Sequence, residues 1–202
     1  MSKENLNLIY EAVISATKIK LDCSGLCTFA RAYSQVGDTD KANTLLSTAL
    51  VKARGYSNPL ARSSNLLEIA KSYNSISNKN EFTKLMIEAK EAANAIDGDS
   101  KSSTLLDVVY AYIQSGDLTA ATNTIYSIQN NDYSDIAYAE LACILFAENT
   151  YTEGLQMLEK ITNTLVIDAA RTKEVQILAN QKRFEIAFQQ VSLVEDRYLR
   201  AV

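Results

Sequence analysis

The chain has 202 residues, 47% hydrophobic and 22% charged, a formal net charge of −4 and a pI of about 5.0. That length can bury a substantial core, as one domain or as an array of small units. An acidic balance with no Lys/Arg run speaks against nucleic-acid or anionic-membrane binding, both of which draw on cationic side chains.

The N-terminus, Met-Ser-Lys-Glu-Asn, lacks the apolar run of a secretory signal, and no stretch approaches the ~18 apolar residues of a membrane-spanning helix. With an odd number of cysteines (Cys23, Cys27 and Cys143) there is no sign of a disulfide framework. A reducing cytoplasm is the expected compartment. Residues 4–20 carry Leu6, Ile9, Val13, Ala16 and Ile19 at helical spacing, which predicts a lone helix packing on the next one.

A repeat begins after it. Leu26, Phe29, Ala30 and Tyr33 return as Leu66, Ile69, Ala70 and Tyr73, and again as Leu105, Val108, Val109 and Tyr112. Weaker copies continue through Tyr138, Leu141, Ala142 and Leu145, then through Val175 and Leu178. Nine residues beyond each anchor stands Ala42, Phe82, Ala121, Gly154 or Ala187, and four further on an apolar residue. The anchors at 33, 73, 112, 145 and 178 are separated by 40, 39, 33 and 33 residues. Apolar residues at offsets 0, 3, 4 and 7 make one stripe of a helix, so each unit reads as a helix–turn–helix hairpin.

The predicted hairpins span about 22–58, 62–98, 101–131, 134–163 and 166–200, about eleven helices with the first. Ser63, Ser64, Ser102 and Ser103 are predicted helix caps, and Thr150-Tyr-Thr-Glu153 reads as a capping box. The turns Gly55–Pro59 and Asp97–Ser100 are expected to absorb the extra residues of the longer spacings, together with longer second helices. Phe184, Ala187, Phe188, Val191, Val194 and Tyr198 are predicted to share one face of the last helix.

These residues resemble the tetratricopeptide repeat, whose pattern is Trp-x2-Leu-Gly-x2-Tyr, Ala-x3-Phe and a closing Pro. The likeness covers roughly residues 24–195 and departs from the pattern in several places. No unit has the Trp or the closing Pro, Phe82 replaces a small residue, and Arg171 and Glu174 fall on the apolar stripe. The resemblance implies an all-α, right-handed α-α superhelix (solenoid) forming a single domain over 1–202. It also implies an interaction module, a scaffold or adaptor for another protein or peptide.

Chemistry is sparse. The absence of His removes the commonest general base and metal ligand. Cys23 and Cys27 lack further ligands nearby, and Asp97-Gly98-Asp99 is followed by Lys101 where a calcium loop needs oxygen. No enzymatic activity, metal or cofactor is expected.

In stacked hairpins the first helices line the concave side, and offsets 1, 5 and 8 lie about a third of a turn from the packed stripe. That row reads Cys27, Arg31, Ser34; Leu67, Lys71, Asn74; Leu106, Tyr110, Ile113; Ala139, Cys143, Phe146; Thr172, Gln176, Ala179. Offset 2 adds Glu68, Asp107 and Glu140. The expected groove therefore comprises Glu68, Lys71, Leu106, Asp107, Tyr110, Ile113, Glu140, Cys143 and Phe146. It would suit a segment with apolar anchors and some Lys or Arg. An inter-repeat seam would leave the same apolar row. Self-association through the terminal helices and, against the charge balance, RNA binding are the alternatives.

Overall fold

The computed structural model describes residues 2–17 and 21–194, with side chains for 2–12 and 21–194. The predicted contacts of Val13, Ala16, Ile19 and Tyr198 lie outside these. Every regular element among the described residues is helical. Helix α1 (Lys3–Thr17) precedes five hairpins: α2 (Cys23–Gln35) with α3 (Thr39–Arg54), α4 (Pro59–Ser75) with α5 (Lys79–Asn94), α6 (Ser100–Ser115) with α7 (Leu118–Ile125), α8 (Asn131–Ala147) with α9 (Tyr151–Leu158), and α10 (Thr164–Asn180) with α11 (Phe184–Val191). The packing divides into two compact units, Met1–Thr104 and Leu105–Val202.

One turn is used five times. Four residues after each anchor the chain enters the left-handed region, at Gly37, Ser77, Gly116, Asn149 and Lys182. The next N–H then returns to the anchor's carbonyl: Asp38 to Tyr33, Asn78 to Tyr73, Asp117 to Tyr112, Thr150 to Leu145 and Arg183 to Leu178, all at 2.9–3.0 Å. This Schellman-type closure satisfies carbonyls at the end of the first helix and reverses the chain. Asp38, Asn78 and Asp117 then cap the second helix through their side chains. The capping box predicted at Thr150 does not form, because its hydroxyl donates back to the Leu145 carbonyl at 2.8 Å. Neither do the predicted serine caps. Asn58 caps α4 one turn earlier, which leaves Ser63 and Ser64 inside that helix; α6 likewise starts at Ser100, ahead of Ser102 and Ser103.

The longer spacings have a single origin. Helices α3 and α5 have 16 residues each, whereas α7, α9 and α11 have 8. Turns 55–58 and 95–99 are no longer than 126–130 and 159–163, so these turns absorb none of the excess.

Helix length decides a polar position ten residues before each anchor, occupied by Cys23, Ser63, Ser102, Asp135 and Asp168, all buried. In unit 1 the long second helix passes over it and offers a carbonyl. Cys23 donates to Ala49 at 3.4 Å and Ser63 to Ala89 at 2.8 Å. In unit 2, α9 has already ended opposite Asp135, leaving N–H groups to satisfy. Asp135 accepts from the Thr162 amide and hydroxyl and from the Asn163 amide at 2.8–3.1 Å. A carboxylate suits donors and a hydroxyl or thiol suits a carbonyl.

In unit 1, α1 lies on α2 through buried Leu6, an edge-on Tyr10–Phe29 contact at 5.0 Å and a hydrogen bond from Tyr33 Oη to Asn7 at 2.6 Å. Ile9, expected on the buried stripe, is instead exposed. In unit 2 the predicted single apolar face of α11 divides: Ala187 and Val194 are buried, while Phe184 and Phe188 are 64% and 79% exposed.

Candidate functional site

The groove residues fall into two groups, one in each unit. In unit 1, Cys27 and Leu67 are buried between packed helices and face no groove. Arg31 is drawn to the neighbouring first helix, its Nη1 donating to Ser72 Oγ at 2.7 Å. Glu68 Oε1 accepts from Ser24 Oγ at 3.0 Å, and Lys71 is exposed. Clefts in this unit are polar, one around Thr39, Asn43 and Ser77–Asn80, another around the Arg54–Glu88 ion pair (2.6 Å).

In unit 2, Leu106 and Phe146 are buried and form no part of an open surface. Phe146, 1% exposed, turns into its own hairpin because the close-crossing residue on α9 is Gly154. A Cβ there would stand 2.4 Å from Phe146 Cε1. The missing side chain is the space the ring occupies.

Tyr110, Glu140 and Cys143 do come together. With Ile136 and Leu165 they line a cleft of about 360 Å³ bounded by α6, α8 and α10. Small apolar side chains, Ala139, Ala169 and Ala170, also line it, with Ala170 buried and Ala169 exposed. Its rim carries Ile136 and Leu165, 40% and 62% exposed. Lys173 approaches Glu140 at 3.6 Å on the rim, and Asp107 on α6 is exposed. Ile113 is half-buried and does not line the cleft. Burial raises the pKa of the Tyr110 phenol, with the Glu140 charge adding to the effect. Burial also pushes the Cys143 thiol up to about 11, so it stays protonated at neutral pH and acts as an apolar wall. Cys27 is likewise pushed up to about 11.

The sequence row missed Ile136, Leu165 and Ala169. Ile136 and Ala169 lie one helical turn before offset 1, so extending the row by a turn would have found them. Leu165 needed the position of its neighbour α8 as well.

No protein-family model matches this sequence, and no curated protein matches it. Two crystal structures from Podosopora anserina do share its fold, both described as "putative kinesin light chain nearly identical TPR-like repeats". The first has a TM-score of 0.53 at 16% identity and covers 91% of this chain and 98% of its own. The second has the same score and identity, with 90% and 98% covered. The chain therefore has an all-α, TPR-like helical-repeat fold. Among the described residues no helix is long and apolar enough to cross a membrane.

Proposed function

We propose that the chain is a protein-interaction scaffold whose unit 2 cleft takes up apolar side chains from an extended or helical segment of another protein. The cleft itself carries this reading: small apolar side chains line it, and the large apolar Ile136 and Leu165 stand exposed beside them. Burying that rim would gain about 25 cal/mol per Å² of apolar surface in transfer free energy, from which the cost of association is subtracted. Asp107 and Glu140 favour a partner with Lys or Arg beside its apolar anchors. The Lys173–Glu140 pair is exposed and contributes under ~1 kcal/mol, so a partner's cation can displace it at little cost. In unit 1, Glu68 and Lys71 would serve as polar contacts for a separate segment.

The test is selection from a displayed peptide library, followed by affinity measurements on the selected peptides. The expected consensus pairs aliphatic anchors with a basic residue, and Ile136→Asp should weaken binding at least tenfold. Peptides that bind Ile136→Asp and wild type equally would overturn this placement.

Phe184 and Phe188 favour a second reading, self-association. Phe184 occupies the register position of Tyr151, which in the preceding hairpin packs against α10 through Glu174. A second copy covering that face would appear as a dimer in sedimentation, abolished by Phe188→Asp. A strict monomer at high concentration would refute it.

A further inference from the structure

Glu174 stands where the other four hairpins place Phe29, Ile69, Val108 and Leu141. Its residue exposure is 0%. Tyr151 Oη donates to Oε1 at 2.6 Å, while Oε2 has no hydrogen-bond partner among the described residues. The other groups acting here are Arg171 on the same helix and Cys143 on α8, with Arg183 5.5 Å from the Tyr151 ring centroid on its way into α11. Arg171 acts on Glu174 through its charge, while its Nη1 donates to the Leu193 carbonyl at 2.7 Å.

An ionised carboxylate with a bare, buried oxygen is costly, and a protonated one is tolerated. Burial is the main cause of a raised Glu174 pKa, opposed by the Tyr151 hydrogen bond and Arg171. Helix α10 packs directly on α8, and the two supply facing walls of the unit 2 cleft.

We propose that Glu174 is a proton-operated latch on α10: protonated, it holds this wall of the cleft against α8 and α9, and ionised, it releases it. The link to binding rests on the cleft reading above. The latch itself is a property of the free chain.

Linkage sets the sign. A carboxyl with its folded pKa raised gives stability that is fully present below the unfolded pKa and lost as pH rises through the folded one. Between the ordinary Glu value of about 4.3 and the raised value, opening of α10 becomes tenfold more frequent per pH unit, then levels off.

The experiment is hydrogen exchange of the α10 amides in the full chain across this range, corrected for intrinsic exchange rates, with carboxyl ¹³C shifts reporting Glu174 directly. Wild type should lose protection tenfold per pH unit in the window, and Glu174→Gln, which keeps the acceptor for Tyr151, should be flat. Tyr151→Phe removes the bond that favours the ionised form, so it should extend the window upward. Parallel wild-type and Glu174→Gln profiles, or an unmoved window in Tyr151→Phe, would overturn the latch. No ligand enters this measurement, so a latch that works beside Ile136→Asp having no effect on peptide affinity would sink the cleft reading alone.

Discussion

Gly154→Ala puts the packing of the fourth hairpin to a direct test. The added Cβ would lie 2.4, 2.7 and 3.0 Å from Cε1, Cδ1 and Cζ of Phe146. All three atoms belong to one rigid ring, itself buried and 5.3 Å centroid to centroid from Tyr151, so no flexible tip can yield. Overpacking of this kind costs about 1–3 kcal/mol. Replacing a mid-helix Gly with Ala returns about 0.5–1 kcal/mol. With the contact at the severe end of that range the clash wins, for a net loss of up to about 2.5 kcal/mol, read as a lower urea midpoint at unchanged slope. In a Phe146→Leu background the ring is gone and only the helix term survives, so the same substitution should stabilise by about 0.5–1 kcal/mol. The two sites are therefore coupled by up to about 3 kcal/mol. A Gly154→Ala chain more stable than wild type, or two mutations that simply add, would refute this account of why Phe146 points inward.

The recurring turn and the buried polar position give further predictions. Lys182 holds φ 62° with a side chain that disfavours it, so Lys182→Gly should raise thermal stability by roughly 1 kcal/mol. Thr150→Asp would give α9 the cap that Asp38 and Asp117 give α3 and α7, a gain of about 0.5–1 kcal/mol in denaturant titration. Asp135→Asn sets an amide N–H₂ against at least one of the Thr162 and Asn163 donors. It should cost about 1–3 kcal/mol and speed amide exchange at Thr162 and Asn163.

The five-hairpin register was legible because it is local. Apolar residues at offsets 0, 3, 4 and 7 mark a stripe wherever the helix lies, and Gly37 and Gly116 mark the turn through backbone sterics alone. The same turn at Ser77 and Lys182 carries no such mark, because the surrounding closure imposes the conformation on side chains that do not prefer it. The caps were misread for a related reason. Asn58 and Ser63 are both good cap residues, and only the point where the chain leaves the previous hairpin selects between them.

For the candidate site, sequence placed Tyr110, Glu140 and Cys143 on one surface from periodicity, and the cleft brings those three together. Periodicity also placed Phe146, Leu106, Cys27 and Leu67 there, and all four are buried. A helical offset fixes the direction in which a side chain leaves its own helix and says nothing of what stands opposite. Gly154, eight residues on, draws Phe146 inward. The lengths of α3 and α9 decide whether Cys23 meets a carbonyl or Asp135 meets amides. The sequence by itself determined helices, hairpins and their register, because those follow from the backbone and from residues a few positions apart. The tertiary structure alone decided which faces stay open, since that depends on the size and reach of side chains on neighbouring helices.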